Sequence, residues 1–179
     1  MNSKFSFLSD FILFQIAWFC CVLTTLSPIP QILPIIGLVL VLIRTHLTRG
    51  FQQVLPFTLA CLFLGVLGDG SLVHLGLLSF EPYPSLFGAP LWMVALWLNF
   101  GLMLRPLFTW FLDHCWRSII GFSLGGVVAY YSGQKLEVLS FTLDFQSQLA
   151  VAAEWAIAGI VLHFLHLKYP INPQKNESV

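Results

Sequence analysis

Long apolar runs broken by short polar stretches dominate this chain. A helix that crosses a bilayer needs about 17–25 mostly apolar residues. The pattern predicts an all-α, polytopic transmembrane helix bundle of about six spans, at 5–26, 29–43, 51–78, 86–104, 116–132 and 148–167. The second is short and carries Pro30 and Pro34, so a re-entrant segment is its alternative. Pro106 is expected to break the fourth helix, because proline lacks the N–H that a helix interior needs. Between the spans, "SFEPYPSLFGAP" (79–90) predicts a proline- and aromatic-rich loop. "LSFTLDFQ" (139–146) alternates apolar and polar and predicts an extended segment with one apolar face. Residues 1–170 are expected to form a single transmembrane helical domain, and 171–179 a short polar cytoplasmic tail.

The basic residues orient these spans. With six crossings, Lys4, Arg44, Arg49, Arg105, Arg117, Lys168 and Lys175 fall on one side and Lys135 alone on the other. An excess of Lys and Arg marks the cytoplasmic side, so both termini are expected there. If the second segment is re-entrant, Lys4 changes sides and the bias weakens without reversing. Tyr83, Phe87, Tyr130 and Tyr131 then fall near the outer interface, and Trp110, Trp116 and Tyr169 near the inner one, the depths that amphipathic rings favour.

Composition agrees with the pattern. Hydrophobic residues make up 58% of the 179 and charged residues 9%, against about 25% charged in soluble domains. A soluble domain of this size could not bury so much apolar surface. Net charge is zero and the basic residues are scattered, which excludes the clustered footprint of a nucleic-acid binder. Cys20, Cys21, Cys61 and Cys115 form no C-x-x-C pair and read as small apolar residues. The N-terminus has the outline of a signal peptide, but more apolar sequence follows in place of a polar mature domain. An uncleaved first span is the expectation.

Against this background, "GDGSLVH" (68–74) stands out, a carboxylate between glycines in an apolar run. Ionisable groups at a helix centre cost about 2.5–3.5 kcal/mol on insertion scales and are usually functional and paired. Asp69 and Glu154 both fall in the outer half of their spans, and His74 lies closer to the outer surface. Gln15 is a deeper polar position. These four form the candidate polar site, in which either carboxyl would serve as an acid or a proton carrier; a structural hydrogen bond between spans is the alternative. The glycines beside Asp69 would either break the helix or admit a close neighbour. If the helix is unbroken, Gly65, Asp69 and Gly76 share a stripe. Asp10, with Ser9, is expected to face headgroups or start the first helix, and Asn99 to bridge helices.

Gly121, Gly125, Ala129 and Gly133 recur every fourth residue and are expected to form a helix-packing face, as are Ala152, Ala156 and Gly159. On the cytoplasmic side, Arg105, Asp113, His114 and Arg117 are placed to meet anionic headgroups. Neither Asp113–His114–Cys115 nor His163 with His166 supplies a metal-ligand set, so no metal and no cofactor are expected. There is no P-loop, G-x-S-x-G, H-E-x-x-H or G-x-G-x-x-G motif.

Several stretches carry a family resemblance: "FQIAWF" (14–19), "GDG" (68–70), "PLWMVALWLNF" (90–100), "GGVVAYYSG" (125–133) and "AEWA" (153–156). In this order they resemble the family catalogued as domain of unknown function 2878, over nearly the whole chain. The resemblance implies a multi-pass bacterial inner-membrane protein without an established activity, associated with genes for fatty-acid-modifying enzymes. It assigns no catalytic residues. The leading expectation is a membrane protein that binds or helps to process a lipidic molecule at the outer-half site; whether it is an enzyme is left open. The alternatives are a small proton-coupled transporter subunit and a non-catalytic scaffold for partner enzymes. The expected partners are membrane lipids, a lipidic ligand and a membrane-protein partner, with no nucleic acid.

Overall fold

The computed structural model describes residues 3–170; the tail expected at 171–179 lies outside them. The described chain is mostly helical. Its helices are α1 (Ser3–Val22), α2 (Leu33–Thr48), α3 (Leu55–His74), α4 (Leu91–Leu112), α5 (Cys115–Lys135) and α6 (Asp144–Lys168). Four stretches are long and apolar enough to cross a membrane: α1 with the turn that follows it, α3, α4 and α6. The sixteen-residue α2 is a shorter apolar helix. Pro34 sits in its first turn, where the missing N–H would have had no helical partner.

The fourth helix does not break at Pro106 as expected; α4 continues to Leu112. Its surroundings account for this. Of the most apolar window in α4, 67% is buried, against 28–33% in the other three crossing candidates. It packs on α1, α2, α3, α5 and α6, and packing on so many sides offsets one lost backbone bond. The remaining contacts divide around it. α1 packs on α2, α3 on α6, and α6 most extensively on α5, whereas α1 and α5 share no substantial contact.

Two small ribbons qualify the all-helical expectation. β1 (Leu78–Phe80) pairs antiparallel with β4 (Leu139–Phe141), so only the first part of 139–146 is extended before α6 begins at Asp144. β2 (Ser85–Leu86) and β3 (Ala89–Pro90) form a hairpin through Phe87 and Gly88, both at positive φ, as a tight two-residue turn requires. The Tyr83 hydroxyl donates to the Pro30 carbonyl over 2.9 Å, tying this end to the α1–α2 turn.

The opposite end is held by polar contacts. Asp10, 1% exposed, accepts from Arg44 Nε at 2.7 Å and from Arg49. This corrects its reading as a headgroup-facing or helix-starting residue. Asp10 lies seven residues inside α1 and clamps it to the end of α2, because a buried carboxylate needs cationic partners. Arg105 is also turned inward, its guanidinium 4.5 Å from the Phe57 ring centre. His163 Nδ1 lies 2.7 Å from the Leu112 carbonyl, and His166 Nε2 lies 3.3 Å from Asp113. Those two histidines fasten α6 to the α4–α5 turn.

Candidate functional site

The "GDG" stretch lies inside an unbroken α3, and each glycine near Asp69 admits a neighbour. A Cβ at Gly65 would fall on the Trp97 indole, one at Gly68 on the Glu154 carboxyl, and one at Gly70 on Phe87. Of the two readings of those glycines, close approach is the one that holds. Because α3 ends at His74, Gly76 lies beyond the expected stripe, at φ +69°.

Asp69 is fully buried and faces α4 and α5. Its Oδ2 accepts the Trp97 indole N–H at 2.8 Å, and its Oδ1 accepts the Tyr130 hydroxyl. Trp97 in turn stacks on Trp155, with ring centres 4.4 Å apart and planes 19° from parallel. Trp155 seats against Gly126, where a Cβ would overlap the indole. One carboxyl therefore fixes aromatic side chains from two helices, and stacking extends the array to a third.

Glu154 lies beside this array. Its carboxyl packs on Gly68, next to Asp69 in sequence, close enough for the two acids to act on one another electrostatically. Both of its oxygens are sealed from solvent and make no hydrogen bond among the described residues. Asp69 and Glu154 are thus brought together. His74 is not part of the cluster: its Nδ1 lies 2.7 Å from the Gly70 carbonyl and its ring stacks on Phe87 at 4.7 Å. Gln15 is also apart from the carboxyls, on the wall of a cavity.

That cavity, of about 500 Å³, lies between α1 and α5 with α4 behind it. Trp97, Tyr130 and Trp155 form part of its wall, so the Asp69 bonds hold wall residues in place from behind. Gly121, Gly125, Ala129 and Gly133 all line it. A Cβ at Gly121 would meet Phe111 and one at Gly133 would meet Leu139, but one at Gly125 would meet nothing within 4 Å. The contacts of α5 with α6 use other positions. Gly126 receives Trp155, the Ser123 hydroxyl donates to the Ala152 carbonyl, and Gly159 meets the Ser118 backbone.

Trp97 and Trp155 carry no individual reading in the sequence, and Tyr130, expected near the outer interface, is instead 2% exposed and bonded to Asp69. The available signal was general: a buried indole or phenol usually needs a partner for its polar tip, and two carboxylates stood in neighbouring spans to supply one. Asn99 is buried, with its amide nitrogen 3.6 Å from Cys21 Sγ. Among the described residues no group of three or more His, Cys, Asp or Glu side chains is placed to hold a metal ion.

No curated protein and no solved structure matches the chain. A family model described as "Protein of unknown function (DUF2878)" matches residues 7–161. With most of its length covered, from the first helix through most of the last, the chain belongs to that family.

Proposed function

We propose that the protein is a multi-pass inner-membrane protein of bacteria that holds a lipidic molecule in the cavity between α1 and α5. The cavity itself carries the reading. From Gly121 to Gly133 its α5 wall covers thirteen residues, twelve steps of 1.5 Å or about 18 Å. At about 500 Å³ the cavity falls within the roughly 300–1,000 Å³ of small-molecule sites, room enough for a flexible chain. The wall is mainly aromatic and aliphatic. In this reading Asp69 is a positioning residue that locks Trp97 and Tyr130, and all six helices cross the bilayer with both ends cytoplasmic, as the distribution of basic residues supports.

Mass spectrometry of the purified protein tests the proposal. A lipid should accompany the native protein and be lost from Gly125→Leu, whose side chain enters the cavity at a position where a Cβ meets no atom within 4 Å. A native protein free of lipid, or equal lipid content in both, would count against it.

A second reading, a proton-coupled transporter subunit, draws on the sealed and unpartnered Glu154 carboxyl beside Asp69. Intramembrane carboxyl pairs suit proton relays. Flux driven by a pH gradient in reconstituted vesicles, abolished by Glu154→Gln, would favour it.

A further inference from the structure

The charge and hydrogen-bond inventory of the cavity wall restricts what can occupy it. No Lys, Arg, His, Asp or Glu is among the lining residues. Asp69 stands behind Trp97 and Tyr130, and both Glu154 oxygens are sealed away from any open space. A charged headgroup inside would therefore lose its water without gaining a counter-charge, a cost that lipid-depth sites avoid.

Apart from Gln15, the polar groups on the wall divide: three are committed, the indole N–H groups of Trp92 and Trp155 are sealed without a partner among the described residues, and the Trp18 indole can only donate. Tyr130 and Trp97 donate to Asp69, and the Ser132 hydroxyl donates 2.7 Å to the Val128 carbonyl of its own helix. Gln15 is different. It lines the cavity, is half-buried, and its amide takes part in no side-chain hydrogen bond among the described residues. An amide offers both a donor and an acceptor without charge. It matches a hydroxyl, carbonyl or ester group.

We propose that the cavity selects an uncharged lipid whose single hydrogen-bonding group, a hydroxyl or carbonyl, is read by Gln15. This rests on the lipid-binding reading above and narrows it to a chemical class. The open flank between α1 and α5 provides lateral entry, so the molecule need not pass through water.

Tryptophan quenching in the detergent-purified full-length protein provides the test, because Trp18, Trp92, Trp97 and Trp155 line the cavity. Two probes are compared: undecanol and undecanoate, each brominated at the end away from its polar group, so that the bromine quenches nearby indoles. Gly125→Leu supplies the background from nonspecific partition. The alcohol should bind more than about tenfold tighter than the carboxylate, given the cost of an unpaired charge. Gln15→Leu should weaken the alcohol by about three- to tenfold, the worth of one hydrogen bond. Equal binding of the two probes, or tighter binding of the carboxylate, would overturn the neutral-lipid inference and leave the cavity as a lipid site. Unchanged alcohol binding in Gln15→Leu would remove Gln15 from it. Quenching no greater than that of Gly125→Leu with either probe would overturn the lipid reading together with the inference.

Discussion

The Tyr130 hydroxyl on α5 donates to Asp69 on α3, although those two helices share no substantial packing of their own. The bond joins two sides of the bundle across the space that α4 and α6 otherwise occupy. Because the second oxygen of Asp69 holds Trp97, two side chains of the cavity wall depend on one carboxyl.

Substitutions at the two ends of this bond should differ in cost. Tyr130→Phe leaves Asp69 with its Trp97 partner and should lower stability by about 1–3 kcal/mol. Asp69→Leu should cost more, because the Trp97 indole N–H and the Tyr130 hydroxyl both lose their acceptor. Thermal unfolding in detergent ranks the two, and a shift of tryptophan emission in Asp69→Leu reports release of Trp97. An Asp69→Leu protein as stable as the native one would rule out the locking role.

Two adjacent glycines should respond in opposite directions. Gly125→Ala puts a methyl into open space and removes a helix-weakening glycine, for a gain of about 0.5–1 kcal/mol. Gly126→Ala drives its methyl into Trp155 and should cost about 1–3 kcal/mol. Unfolding midpoints that move together would contradict the division of α5 into a cavity face and a packing face.

The helices were largely legible in the sequence, because apolar runs of bilayer length have few alternatives. Pro106 was misread because a local rule about proline ignores five neighbouring helices. Asp69 and Glu154 could be singled out since charge is rare in such runs. Their company of Trp97, Tyr130 and Trp155 could not, because an aromatic residue in an apolar stretch is the ordinary case and contact between separate spans has no periodic signature. The Asp10 clamp was hidden for a related reason: Arg44 and Arg49 resembled ordinary cytoplasmic charges, and their direction depends on how α2 folds back on α1.

Gly68 and Glu154 should be coupled energetically. Gly68→Ala places a methyl against the Glu154 carboxyl and should cost about 1–3 kcal/mol. In a Glu154→Ala background the space is free and the same change should cost little. A double-mutant cycle measures the difference; strictly additive effects would mean that the two side chains do not touch.

At the other end of the bundle, Asp10→Ala should be more damaging than Arg44→Ala. The first strands two arginines, whereas the second leaves Asp10 its bond with Arg49. Loss of a buried carboxylate from its cations costs about 3 kcal/mol. Limited proteolysis at the α2–α3 turn beside the clamp, faster in Asp10→Ala than in either single arginine variant, checks this.

The proposed orientation is open to a labelling test. With its other cysteines removed, a Lys135→Cys protein should react with a membrane-impermeant maleimide in cells whose outer membrane is opened and whose inner membrane is intact. Cys115, at the start of α5, should react only once the inner membrane is breached. The reverse pattern would invert the topology.

The unpacked flank between α1 and α5 also bears on how affinity is to be measured. In the proposed membrane setting, an occupant arriving from that side is dissolved in the bilayer, so its chemical potential follows its mole fraction among lipids, not a molarity in water. Detergent extraction then acts as dilution. Occupancy should fall as the detergent-to-lipid ratio rises, by the mass action that empties a soluble site on dialysis, and reconstitution at constant lipid composition should hold it fixed whatever the total volume.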